Sequence, residues 1–219
     1  YWIIFLKKAT KNEIEEVKQI FLHHYSSANT ELKFANDFEL LIAIILSAQC
    51  TDKRVNIITP SLFEKYPNPQ SLAQAELEDI KVIINSCSFF NNKAKNIIKM
   101  AQDVCEKYNG KIPRNQTDLI SLAGVGQKTA NVFMIEIEGK NLMAVDTHVF
   151  RVSHRLGLSN AKTALKTEEE LSKKFKTDLN ILHQALVLFG RYICKAVKPE
   201  CEKCLFPHIC KSKSGFKPF

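Results

Sequence analysis

Four cysteines, Cys194, Cys201, Cys204 and Cys210, fall in the spacing C-x6-C-x2-C-x5-C. Soft thiolates at short spacing select zinc or an iron–sulfur cluster, and four on one compact loop can surround a single centre without long-range folding. The thiolates alone leave both centres open, since zinc sites also use four cysteines. A second group is the turn Leu122-Ala123-Gly124-Val125-Gly126, which holds two of the chain's 7 glycines. Glycine tolerates positive φ and lets a backbone approach another molecule closely. A helix starting just after such a turn aims free N–H groups at whatever sits there, and a phosphate suits them. Lys128 falls in the first turn of that helix. The positive helix end disfavours its ammonium form, as would partial burial, and a neutral amine can form a Schiff base with a sugar carbon. The plainer reading is a lysine that pairs with a phosphate. The third group is Val145-Asp146-Thr147-His148-Val149-Phe150-Arg151-Val152. Asp146 can cap the helix from Thr147 to Leu156, or handle protons and stabilise a cationic sugar, and the two roles are compatible. His148 reads as structural rather than catalytic.

These groups need a scaffold, and the pattern along the chain is helix after helix. Asp37 can cap a segment from Phe38 to Ser47 that is apolar almost all round, as a helix buried on every side would be. Thr10 with Glu13, Ser71 with Gln74 and Thr167 with Glu170 have capping-box spacing. Asn92 to Tyr108 carries a helical stripe through Ala94, Ile97, Ile98, Ala101 and Val104, with Gly110 as a stop. Asp178 to Ile193 carries another through Leu179, Leu182, Leu186 and Phe189. Thr117 to Leu122 and Gln127 to Ile137 flank the glycine turn. No strict apolar–polar alternation occurs, so the expected fold is all-α.

Composition agrees with this. Of 219 residues, 45% are hydrophobic, which supports a core and argues against disorder. A net charge of +8 and a pI near 9.1 favour an anionic partner. No apolar run reaches the roughly 18 residues of a membrane span. The apolar opening Tyr1 to Leu6 lacks the charge and cleavage site of a signal peptide, and the missing initiator Met suggests a trimmed end; residues 1–8 are assigned no function. An odd count of 7 cysteines, clustered late, points to a metal or cluster site in a reducing compartment. Cys50, Cys87 and Cys105 read as small core residues on helices. Lys195, Lys198 and Lys203 on the cysteine loop are either ordinary surface charge or a basic finger on DNA phosphates.

Together these features resemble the endonuclease III family, within the helix-hairpin-helix glycosylase superfamily. The resemblance runs from about Asn12 to Lys211. It rests on the hairpin with Gln127-Lys128-Thr129-Ala130-Asn131-Val132, on the Asp146 segment and on the cysteine spacing. Leu46-Ser47-Ala48-Gln49-Cys50-Thr51-Asp52 is similar to the family's stretch with a DNA-inserting glutamine. The resemblance implies that Lys128 is the Schiff-base nucleophile and Asp146 its acidic partner. It implies a [4Fe-4S] cluster on the four cysteines. Phosphate contacts would come from Leu122, Gly124, Val125, Gly126, Lys195 and Lys198. Gln49 would fill the space of a flipped nucleotide, the rival being a helix-end hydrogen bond. Phe89 would wedge the opposite strand, the rival being core packing. The family commonly has Leu preceded by Gly where Phe89 and Ser88 stand, and Pro where Ala123 stands.

The implied architecture is two helical lobes with a DNA cleft between them. Residues 30–140 would form a six-helix lobe with the hairpin. Residues 1–29 would supply an N-terminal helix to the cluster lobe, completed by 141–219 with the cluster loop at 194–210. The implied activity is that of a bifunctional DNA glycosylase and AP lyase of base excision repair. It would remove oxidised pyrimidines from double-stranded DNA and cut 3′ to the abasic site by β-elimination, as a monomer in the bacterial cytoplasm. Two alternatives share some of these features: a monofunctional adenine glycosylase, which typically lacks the lysine, and a non-catalytic iron–sulfur DNA-binding module.

Overall fold

The computed structural model describes residues 7–212, so that residues 1–6, most of the stretch assigned no function, lie outside the described residues. The helices in chain order are α1 (Lys11–His24), α2 (Asp37–Ser47), α3 (Asp52–Lys65), α4 (Pro69–Ala73), α5 (Leu77–Ile84), α6 (Phe90–Tyr108), α7 (Gln116–Ser121), α8 (Gln127–Glu138), α9 (Thr147–Arg155), α10 (Ala164–Phe175) and α11 (Leu179–Tyr192). A single 3-10 turn, Cys201–Lys203, follows, and no strand occurs among the described residues. The chain divides into two compact units, one of Thr30–Glu138 and one of Tyr1–Asn29 with Gly139–Phe219.

The unit Thr30–Glu138 is built around α2. Phe38 and every residue from Leu40 to Leu46 are buried, so this helix has no solvent face. A helix apolar all round can only be a central one, and α3, α6 and α8 pack against it. Each large side chain among these contributes roughly 1.5–3 kcal/mol by leaving water, as an upper bound. Of the unit's seven helices, α4 is a single turn of five residues that packs on α6.

Residues 139–212, with α1, form the other core. Phe21 of α1, Phe189 of α11 and Phe206 of the cysteine loop meet in a triad with centroids 4.7–5.5 Å apart. Phe206 is fully buried, so an irregular loop with little structure of its own is anchored by one aromatic ring. Helix α9 lies close on α11. A Cβ added to Gly190 would stand 2.8 Å from the Cβ of His148, so only glycine allows this approach.

Capping follows the expected chemistry, but not always at the expected residue. Thr10 and Glu13 form the reciprocal box that starts α1. At α2 the cap is Asn36, whose Oδ1 accepts from the Glu39 N–H at 3.0 Å. Asp37 instead takes the Arg114 guanidinium at 2.8 and 3.0 Å. Ser71 is the third residue of a box begun by Asn68, with Pro69 at the first helical position. Thr163 caps α10, while Thr167 is buried one turn inside and gives its hydroxyl to the Thr163 carbonyl. In each case two capping residues lie within one turn, and the one with an extended backbone takes the role.

Candidate active site and cysteine centre

The glycine turn joins α7 to α8 as expected, yet its two glycines differ. Gly124 has φ +78°, and a Cβ there would sit 3.0 Å from the Asn96 Cβ, so conformation and packing both require glycine. Gly126 has neither constraint: its φ is not left-handed, and nothing lies within 4 Å of where its Cβ would be. Of the two glycines in the turn, only Gly124 is required by its conformation and packing. The open face of Gly126 leaves room for a ligand to reach the backbone. Leu122 and Val125 are 2% and 5% exposed, so their side chains are packed into the unit. Behind the turn, the buried Asn131 carboxamide oxygen accepts from Gln116 at 2.6 Å and Gln127 at 3.0 Å, fixing the start of α8 to α7. Lys128, the second residue of α8, is exposed, so the partial burial considered from the sequence is absent.

Gln49 and Phe89 share an unusual backbone. Gln49 lies in the turn between α2 and α3 with φ 54°, and Phe89 precedes α6 with φ 57°. Left-handed dihedrals cost a non-glycine residue about 1–3 kcal/mol and persist only where surrounding contacts enforce them. Phe89 is 62% exposed, which rules out the core-packing reading. Gln49 is exposed and makes no hydrogen bond among the described residues, so the helix-end bond is not formed. Cys50 and Cys87 lie in these same turns rather than on helices, with their sulfurs 3.5 Å apart. Burial and the neighbouring Cys50 push the Cys87 thiol up to about 12.

Asp146 caps α9. Its Oδ1 accepts from the His148 N–H at 2.9 Å and the Val149 N–H at 2.8 Å, leaving Oδ2 without a hydrogen bond among the described residues. One oxygen thus fixes the carboxylate and the other is available to a ligand. His148 is tied by Nδ1 to the Arg151 guanidinium at 3.1 Å, and burial lowers its pKa, so the ring is held neutral, accepting at Nδ1. This fits the structural role expected for it.

Arg151 and Arg155, whose roles the sequence did not reveal, join α9 to the cysteine loop. Arg151 donates to the carbonyls of Cys194 at 2.9 Å and Gly190 at 2.8 Å. Arg155 donates to the Lys195 carbonyl at 2.8 Å and to the Cys194 sulfur itself at 3.1 Å. Both are buried. Their i, i+4 spacing on the helix after Asp146 was the available signal, but a pair of arginines on a basic chain reads first as surface charge.

The four late cysteines line one cavity of about 240 Å³, with Arg155 in its wall. Among the described residues no three His, Cys, Asp or Glu side chains stand close enough to share one metal ion. The lining is of soft thiolate donors, the kind that hold zinc or an iron–sulfur centre. Burial pushes the Cys194 and Cys204 thiols up, and Arg155 opposes this at Cys194. Lys195 is committed inside the loop: it and Lys203 grip Glu200 and hold that carboxyl down at about 2. Lys198, exposed with φ 49°, has no such partner among the described residues.

Residues 42–177 match the model of the HhH-GPD superfamily base excision DNA repair protein. Endonuclease III of Bacillus subtilis is 42% identical over 200 residues, 90% of each chain. That of Haemophilus influenzae is 46% identical over 188 residues, 84% of this chain and 88% of the relative. The chain belongs to the endonuclease III family. Among solved structures, an endonuclease III trapped as a covalent intermediate with DNA, in an estranged-adenine complex, superposes with a TM-score of 0.88 at 43% identity, covering 92% of this chain and 95% of that one. A non-covalent endonuclease III–DNA complex gives the same values.

Proposed function

We propose that this member of the endonuclease III family is a bifunctional DNA glycosylase and AP lyase that excises oxidised pyrimidines and cuts the strand 3′ to the resulting abasic site. The observation that carries the reading is Lys128, an exposed primary amine at the head of α8, directly after a turn whose backbone is open to a phosphate. The monofunctional alternative lacks such a lysine, and a mere binding module has no need of it.

A target base inside a duplex is out of reach, so the nucleotide must be extruded at a cost of a few kcal/mol, which damage reduces. Contacts of the hairpin backbone and of the loop lysines with phosphates offset that cost. Gln49 fills the vacated space and Phe89 wedges the opposite strand, as an apolar side chain between unstacked bases can. The Lys128 amine attacks C1′ and the base departs. The carboxylate of Asp146, steadied by the two α9 N–H groups, assists proton transfer and offsets positive charge on the sugar. The C1′–O4′ bond then opens, with a proton passing to O4′, and leaves an iminium that acidifies the C2′ proton; loss of that proton expels the 3′ phosphate by β-elimination.

Cys194, Cys201, Cys204 and Cys210 would hold a [4Fe-4S] cluster, whose iron–sulfur bonds cross-link the loop when it is bound. Arg155 satisfies the Cys194 sulfur from the side. Lys198 is the better placed of the two loop lysines for a phosphate, because Lys195 is already paired. The partner is double-stranded DNA with damaged bases or abasic sites, met by a monomer in the bacterial cytoplasm. The bacterial sources of the relatives support that location.

The test is to incubate the protein with oligonucleotides bearing defined lesions, recording base loss and strand scission, and to trap the imine with borohydride. Lys128→Ala should lower trapping by roughly a thousandfold or more while leaving the thermal midpoint unchanged. Equal trapping by the variant would remove Lys128 as the nucleophile.

A further inference from the structure

The turns carrying Gln49 and Phe89 are remote in sequence, yet one side chain spans them. Lys93, in the first turn of α6, is only 6% exposed. Its Nζ donates to the carbonyls of Leu46 and Ala48, each at 2.7 Å, at the end of α2 immediately before Gln49. Its own backbone N–H donates to the Phe89 carbonyl at 3.1 Å. The same residue therefore holds the approach to one left-handed turn with its ammonium and the other with its backbone. The Cys50–Cys87 contact at 3.5 Å closes the gap alongside. No carboxylate pairs with this ammonium among the described residues; its partners are helix-end carbonyls, where a cation is favoured. Burial lowers its pKa, which marks how far the charge has been taken from water for the sake of these contacts.

We infer that Lys93 is a positioning residue for the reaction on duplex DNA: it locks the Gln49 and Phe89 turns in one fixed relation, so that both side chains enter the duplex together. This rests on the proposed reading of the two turns as duplex-probing elements. Without the strut, two left-handed residues lose the contacts that enforce them and relax. Their ordering must then be supplied at each encounter with DNA, which lowers affinity and rate. A single-stranded abasic substrate has no partner strand to wedge and no stacked neighbour to replace, so it is indifferent to the strut.

The experiment compares full-length, cluster-loaded wild type with Lys93→Met on the same abasic site in duplex and in single-stranded form. A second arm uses a duplex with an uncleavable abasic analogue flanked by 2-aminopurine, whose fluorescence reports unstacking. Lys93→Met should lose at least roughly tenfold in kcat/KM on the duplex, keep the wild-type rate on the single strand and abolish the fluorescence change. A Gln49→Ala/Phe89→Ala double variant should show the same loss on the duplex, and adding Lys93→Met to it should cost little more there, because the effects share one route. Equal losses on both substrates, or an unchanged fluorescence response, overturn the inference. Should Lys93→Met fail to fold, Lys93→Gln, which keeps one donor to the same carbonyls, must show the duplex-specific loss in smaller degree, and its absence there also overturns it. The fluorescence arm needs no chemistry, so a wild type that unstacks DNA but cuts neither substrate would sink the lyase reading alone.

Discussion

The two units position their functional groups by opposite means. In Thr30–Glu138 the groups lie on turns, exposed, with Gln49, Phe89 and Gly124 at left-handed dihedrals. In the other unit Asp146 has an ordinary extended backbone, and its carboxylate and the cysteine loop are fixed by buried side chains: Arg151, Arg155 and Phe206. One unit stores its geometry in backbone conformation, the other in a network of side chains round a cavity. The first should fail turn by turn, save that the Gln49 and Phe89 turns share the Lys93 contacts. The second should fail as a whole, since removing one anchor loosens several groups.

The largest effect that sharpens this contrast is at Phe206. Phe206→Ala removes a fully buried ring from the triad with Phe21 and Phe189 and should cost about 3–5 kcal/mol. Because the ring sits between Cys204 and Cys210, iron content in the purified protein should fall with it. Full iron occupancy in a destabilised variant would show that the loop is held by its cluster and not by the ring.

Next in size is the glycine pair. Gly124→Ala meets a left-handed φ and the Asn96 side chain, and should cost about 1–3 kcal/mol of stability. Gly126→Ala meets open space and should leave the thermal midpoint nearly unchanged while weakening duplex binding, because the added methyl stands where a phosphate would approach. If Gly126→Ala binds as wild type does, the hairpin backbone is not the phosphate contact.

What could be read in advance divides along the same line. The hairpin, the Asp146 cap and the cysteine spacing are local patterns, visible because the chemistry sits within a few residues. Asn36 and Thr163 displaced Asp37 and Thr167 as caps because two suitable side chains lay within a turn, and only the backbone path chooses between them. Lys93, Phe206 and the Cys50–Cys87 contact were hidden for a different reason. Their partners lie far along the chain, and a lysine or a phenylalanine carries no mark of which distant carbonyl or ring it will meet.

The loop lysines give a smaller and more selective effect. Lys198→Ala should reduce the slope of log affinity against log salt by roughly one unit if it neutralises one phosphate. Lys195→Ala should change it less, since its charge already faces Glu200. Equal changes would mean that DNA draws Lys195 away from Glu200.

The smallest effect concerns His148 and tests the side-chain network directly. Burial lowers the pKa of this ring, and Arg151 donates to its Nδ1 at 3.1 Å, so the fold holds it neutral. In the unfolded chain it titrates near 6.5. Below that pH the unfolded state binds a proton that the folded state refuses, so stability must fall as pH drops through 6.5, by no more than about 1.4 kcal/mol per pH unit. His148→Gln keeps a polar side chain without the titration. The thermal midpoint of the wild type should therefore fall more steeply than that of the variant between pH 7.5 and 5.5, the other histidines being common to both. A wild type that gains on the variant at low pH would mean an imidazolium in the fold. Arg151 could not then donate to it, and the chain of contacts from Asp146 to the Cys194 carbonyl would have to be rebuilt with a different donor.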